Sequence, residues 1–399
     1  LEDQRLYVRD LAASVRAAAE SPRMQTVRKR WHDVNSRRKA DRAPVYCRPV
    51  GCWKELLPAT ELRCTDNYLR GMELALRQCL IKLDIGDDDP IESCWTVAAV
   101  IRCEPGNIWG VDIQHTPSAT HGGAWAYQPP LKTEADFDRL SMPIFRFDRA
   151  ATDAAQARAQ EALGDAMPVR IVGGAPLNAT LGTAAADLRG LTEIMMDMID
   201  EPELMHRLMA HLRDACLAGM KAAADAGIVT PNNQGAMVES DPLSGMPQAP
   251  WKTCWCMANS QEFDQVSPAM WETFCLEYQR PIMELFGAVA YGCCENLTHK
   301  IDGVLTIPNL RIFVCSAWTD LQTVIRKTAG RHTIMWRQKA SDVVMPHDLS
   351  DLRRTMERDI ATLQGLPYQI VLRELQTLAG HPTRLHDWTR MALDLAQRY

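Results

Sequence analysis

From Pro268 onward the sequence switches back and forth between two hydrophobic periods. Pro268–Phe286 reads as a helix, Ala288–Cys294 (AVAYGCC) as a strand and Leu297–Val304 as a short helix. Arg311–Ser316 is a strand, Thr319–Thr328 a helix stopped by Gly330, and His332–Arg337 a strand. Leu349–Leu363 is a helix, Tyr368–Arg373 a strand and Pro382–Gln397 the closing helix. Helices carry apolar residues every three or four positions, whereas these strands are apolar on both faces. Short strands of that kind separated by helices form a parallel sheet with crossover connections.

Upstream, Pro44–Arg48, Cys94–Cys103 and Val169–Val172 are extended runs, and Asn67–Leu83 and Glu203–Ala226 are helical. Leu188, Leu191, Met195, Met198 and Ile199 add a helical stripe, its methionines serving as core packing. The number of strand–helix units favours a closed (β/α)8 TIM barrel over an open doubly wound sheet. No glycine-rich phosphate loop follows an early strand, which weakens dinucleotide and nucleotide readings. Residues 1–40 form an N-terminal helical extension, two helices broken near Ser21-Pro22, and 41–399 the barrel. The basic run Arg23–Lys39 reads as a solvated helical face.

Composition narrows the partners. Lys+Arg is 44 against 50 Asp+Glu, a net charge of −6, which argues against nucleic-acid binding by bulk charge. The chain has no apolar run long enough to span a membrane and begins without a secretory apolar segment. Its 13 cysteines are odd in number and scattered, as expected of reduced thiols in a cytoplasmic protein.

In such a barrel, chemistry sits where the strands end at their C-terminal side. The run Gly292-Cys293-Cys294-Glu295 closes one strand, with two thiols and a carboxylate suited to metal ligation or acid–base work. Alternation along a strand lets only one of the two thiols face the mouth. Ser260-Gln261-Glu262 precedes that unit, and Trp336 closes another strand as a substrate wall or as core. Asp87-Asp88-Asp89 is either a solvated turn or a source of a working carboxylate. His115 and His121 lie in a Gly/Pro-rich loop, and Cys254 and Cys256 are too closely spaced to constitute a zinc motif.

The segment FGAVAYGCCENLTHKIDGVLTIPNLR (286–311), with SQEFDQVSP (260–268), PVYCRPVG (44–51), WGVDIQ (109–114), GGAWAYQPPLKTEADFDRL (122–140) and ELQTLAGHPTRLHDW (374–388), resembles the uroporphyrinogen decarboxylase superfamily. It is similar in particular to the corrinoid-dependent methyltransferase branch. The resemblance implies a (β/α)8 barrel and one of two chemistries, decarboxylation or methyl transfer to a corrinoid protein. The decarboxylases carry two arginines in an RQAGR segment; here the first is Arg48 and the second position is Cys52, which counts against a substrate with many carboxylates. The thiol-methylating branch carries a His-x-Cys pair of zinc ligands; here these positions are Gly292 and Cys294.

These readings lead to a cytoplasmic methyltransferase moving a methyl group from a small donor, plausibly an aryl methyl ether (O-demethylation), to cobalamin carried by a partner corrinoid protein. Zinc would be held by Cys294, Glu262 and Glu295, with Glu295 and Glu262 the catalytic carboxylates. Trp336, His121, Arg48, Gln261 and Asp88 would contact substrate, and the chain could form a homodimer. The alternatives are a decarboxylase of a smaller acid, and a non-catalytic tetrapyrrole-binding barrel.

Overall fold

The computed structural model describes residues 1–116 and 126–399. Twelve strands are present among them: β1 (Val45–Cys47), β2 (Trp95–Ala98), β3 (Ile101–Glu104), β4 (Gln114–Thr116), β5 (Ala126–Gln128), β6 (Ile144–Phe147), β7 (Val169–Val172), β8 (Trp255–Ala258), β9 (Ala288–Tyr291), β10 (Leu310–Cys315), β11 (Thr333–Gln338) and β12 (Tyr368–Leu372). Six pair in parallel in the order β1-β12-β11-β10-β9-β8, so the last strand returns to the first. β2 and β7 form a separate parallel pair, while β3–β6 and β4–β5 are antiparallel ribbons. β1, β2 and β7 to β12 are therefore the eight barrel strands, in a wall interrupted on either side of the β2–β7 pair. On one side the break is bridged by residues 230–232. Thr230 N–H donates to the Gly173 carbonyl (3.0 Å), and the Asn232 amide both donates to and accepts from the Trp255 backbone.

Alternation sorts the strand residues. Tyr46, Trp255, Ala288, Ala290, Ile312, Val314, Met335 and Val371 pack together inside the barrel. Val45, Cys47, Phe313, Ile334, Trp336, Ile370 and Leu372 belong to the larger outer core against the helices. Trp336 is 6 % exposed and packs outward, so it is not a substrate wall. Its neighbour Arg337 has the inward phase shared by Thr333 and Met335.

Three segments differ from the sequence reading. The run 94–103 is two strands, broken at Ala99–Val100. The helix expected over 268–286 is divided into Pro268–Trp271, a π turn at Glu272–Leu276, and Glu277–Met283. Pro281 lies within it and has no N–H to continue the ladder, and a wider turn accommodates that loss. Third, the basic run 23–39 is solvated only in part: Arg23, Lys29, Arg37, Arg38 and Lys39 are exposed, while Arg28 is half-buried and Arg30 buried.

The two N-terminal helices are α1 (Glu2–Ala19) and α2 (Pro22–Asn35), with Ser21 capping α2 through Met24 N–H. α1 packs on helices Asn67–Ile85 and Arg149–Leu163. The C-terminal end of α2 lies against the N-terminal ends of the barrel strands. Thr333 Oγ1 donates to the Val34 carbonyl (2.8 Å), Gln369 Nε2 to Asn35 Oδ1 (2.6 Å) and Arg311 to the Asn35 carbonyl (3.0 Å). Arg30, 7 % exposed, pairs with Asp88 and Asp41 at 2.6 Å each. Asp88 also accepts from Arg42 and from Val45 N–H (2.8 Å), tying α2 to β1. This carboxylate is a buried structural clamp rather than a substrate contact. Asp87 is held through Oδ2, by Lys82 and by Cys47 N–H, while its Oδ1 is buried without a partner. No helix among the described residues is long and apolar enough to cross a membrane.

Candidate functional site

β9 ends at Tyr291, three residues before Cys294, and this early end sets the geometry of the site. Gly292 follows at φ +113°, in the left-handed region that favours glycine. A Cβ there would lie 2.9 Å from Leu297 Cδ1 and 3.0 Å from the Val314 carbonyl. Past this bend the strand's alternation no longer applies. The thiols of Cys293 and Cys294 consequently lie together, sulfur to sulfur at 3.5 Å, instead of on opposite sides. Both are half-buried.

Inward-phase residues of β11, β12 and β1 lead toward the same place. Thr333, Met335 and Arg337 run up one strand, and Gln369 and Val371 on β12 lead to Arg373 just beyond it. Each thus offers a polar residue at the base, an apolar one in the middle and an arginine at the top. Arg337 Nη1 donates to the Cys293 carbonyl (2.8 Å) and contacts its sulfur (3.3 Å). Arg373 Nη2 is 2.8 Å from Cys294 Sγ. Glu374 accepts from Arg337 (2.7 Å) and from Arg48, and Arg373 stands 3.7 Å away. Arg373 also lies over the ring of Trp318, 4.5 Å from its centroid, and that ring is 48 % exposed. Met257, on the inward side of β8, is 49 % exposed.

Three guanidiniums thus share one carboxylate and the thiol pair. A hydrogen bond from Cys294 and the charge of Arg337 draw the Cys293 thiol down to about 6. The hydrogen bond to Cys293, reinforced by burial, pushes the Cys294 thiol up. The two shifts run in opposite directions, favouring the thiolate on Cys293 and the proton on Cys294. Burial opposes ionisation of Glu374, but Arg337 and Arg48 hold its carboxyl below the usual range. Three guanidiniums stand around the thiol pair with Glu374, and Glu295 lies behind the Cys293 N–H; the guanidinium donors suit an anionic group.

The expected zinc set is not assembled. Glu295 is 3 % exposed and turns away from the thiols: Oε1 accepts from Ser260 N–H (2.8 Å) and Oε2 from Cys293 N–H (3.0 Å). It splints two strand-end loops. Glu262 Oε1 accepts from Thr183 Oγ1 (2.8 Å), and its Oε2 is buried without a partner beside Gly182. Cys294 faces Arg373, a cation that competes with a metal for the sulfur. Among the described residues no three His, Cys, Asp or Glu side chains are arranged to hold a metal ion. The donors present do not fit zinc.

Of the other expected residues, Arg48 lies in the site through Glu374. Gln261 is exposed, and its N–H turns back to Asn259 Oδ1 (3.4 Å). His121 lies outside the described residues, and His115 bonds Asp187 (3.0 Å). Cys52 is fully buried. Sequence reasoning passed over Arg337, Arg373, Glu374 and Trp318. The signal for the two arginines was present: each lies at a strand's C-terminal end, two positions beyond an inward apolar residue.

Comparison with known proteins bears on this geometry. Residues 111–231 match the family described as uroporphyrinogen decarboxylase (URO-D), a segment that contains neither the thiols nor the arginines. No curated protein is similar in sequence. In fold the chain is similar to a methyltransferase from Methanosarcina mazei, with a TM-score of 0.53 at 11 % identity, covering 93 % of this chain and 98 % of that one. The matched segment is thus similar to the uroporphyrinogen decarboxylase family, and the fold is similar to that of the methyltransferase.

Proposed function

We propose that this chain is a methyltransferase of the corrinoid-dependent kind, acting on a small methylated donor that bears an anionic group, such as an aryl methyl ether carrying a carboxylate. The observation that supports it most is the cationic mouth, where Arg48, Arg337 and Arg373 share the single carboxylate of Glu374 beside an exposed tryptophan. In this reading Arg48 and Arg337 hold the donor's carboxylate, and the donor ring lies against Trp318. Arg373 offsets the negative charge that develops on the ether oxygen as its bond to the methyl carbon breaks, the electron pair staying on the oxygen. The leaving phenoxide takes its proton from solvent. The methyl group passes to cobalt carried by a partner corrinoid protein docked over the mouth.

The test is to incubate the purified chain with reduced cobalamin and a set of methoxybenzoates, and to follow the free phenol. Phenol formation from carboxylated ethers, with neutral methoxybenzenes at least about tenfold slower, is expected, since one charge-assisted hydrogen bond is worth roughly 1.5–3 kcal/mol. Absence of phenol from every ether would overturn it. The same arginines favour a second reading, a decarboxylase of a small acid, because they hold a carboxylate equally well. Release of CO2 from hydroxybenzoates without methyl transfer would establish that alternative.

A further inference from the structure

We infer that Cys293 and Cys294 form a vicinal dithiol site that chelates a trivalent arsenical. The sulfurs stand 3.5 Å apart in the folded chain, and both residues are half-buried, so a small reagent reaches them without unfolding. Their spacing is imposed from outside the pair. Gly292 bends the chain, Glu295 Oε2 fixes the Cys293 N–H, and Arg373 holds the Cys294 sulfur at 2.8 Å. A bidentate ligand therefore meets two donors already ordered, and loses little further freedom on binding.

The alternative closure, a disulfide, is poorly matched to this geometry. Adjacent Cα atoms across a trans peptide are about 3.8 Å apart. Disulfides span roughly 4.4–6.8 Å between Cα atoms, and shorter spans strain the bond and make it more reducible. One bridging atom joins both sulfurs without drawing them into bonding contact. The balance is simple: an arsonous acid, R–As(OH)2, loses two As–O bonds and gains two As–S bonds. The Cys294 thiol and solvent supply one proton each, two waters leave, and arsenic stays trivalent. Cys79, Cys94 and Cys103 are also partly exposed. Among the described residues, however, no other two thiols make a sulfur–sulfur hydrogen bond, so these cysteines offer one sulfur each.

The experiment uses phenylarsine oxide and the full chain under reducing conditions. One arsenic per chain should survive excess glutathione and be released by a small dithiol. Cys293→Ser and Cys294→Ser should each weaken retention in glutathione by roughly 10²-fold or more, the loss expected when a two-point attachment becomes one-point. Because a serine variant can misfold, the wild type supplies a second readout. Bound arsenical should protect Cys293 and Cys294 together from iodoacetamide, and mass spectrometry of the native chain should place arsenic on the peptide that contains both. Full retention in either single variant, release by glutathione from the wild type, or protection of only one of the two cysteines would overturn the assignment. None of these outcomes depends on methyl transfer.

Discussion

The two ends of the barrel are both built on arginine, and they differ in how its charge is met. At the base, Arg30 faces Asp88 and Asp41, Arg42 faces Asp88 again, and Arg38 faces Asp33 and Asp241. Backbone donors use what remains of the Asp88 carboxylate. At the mouth three arginines share Glu374, and the nearest other anion is a cysteine sulfur. Paired charge at the base holds α2 against the barrel, whereas the three arginines at the mouth share the single carboxylate of Glu374. In the proposed function the same residue type serves stability at one end and recognition at the other. The deciding factor is the number of carboxylates supplied nearby, not the number of arginines.

The strongest way to break this contrast is at the base. Asp88→Asn removes one of the two carboxylates facing buried Arg30, Asp41 remaining, and leaves the mostly buried Arg42 guanidinium without its ion-pair partner. Unpairing a buried charge costs about 3–5 kcal/mol, so urea denaturation should show a loss of that size. A loss under about 1 kcal/mol would show that the base is no tighter than a surface ion pair.

Gly292→Ala tests the bend that creates the thiol pair. A Cβ at φ +113° is strained, and it meets Leu297 and Val314 at about 3 Å. Destabilisation by about 2 kcal/mol is expected, together with loss of joint reactivity of the two cysteines. Unchanged stability would mean that the loop does not need its left-handed residue.

The smallest expected effect sharpens the mouth side. Arg337→Gln removes a cation beside Cys293, whose thiol is drawn down to about 6 by Cys294 and by Arg337. Losing the cation disfavours the thiolate, so its titration moves upward and less thiolate exists at pH 7. The inflection of the iodoacetamide rate against pH should rise by about one unit. An unmoved inflection would assign the thiolate to the Cys294 hydrogen bond alone.

Much of the architecture was legible because periodicity is a local signal. The apolar spacing of 349–363 needs no knowledge of the rest of the chain to read as a helix, and YQIVLR reads as a buried strand. Strand ends pointed to the thiol run for the same reason. Facing was harder to read. Choosing Trp336 over Arg337 was an error of one residue, and in a strand one residue reverses the side. Arg28 and Arg30 read as solvated because their partners, the Ile91 carbonyl and Asp88, are distant in sequence.

The sequence by itself determined the order of strands and helices and the break at Ser21-Pro22. Each follows from the stereochemistry of a few consecutive residues. Only the tertiary structure decided that Cys293 and Cys294 stand side by side, that Glu295 serves two backbone amides rather than a metal, and that Arg48, Arg337 and Arg373 converge on one carboxylate. The physical reason is range. Helix and strand preferences act over one or two turns of chain, whereas a charge responds to whatever lies within a few ångströms. Here those neighbours come from β1, β11 and β12 and their ends, spread across more than three hundred residues of sequence and joined only when the sheet returns to its first strand.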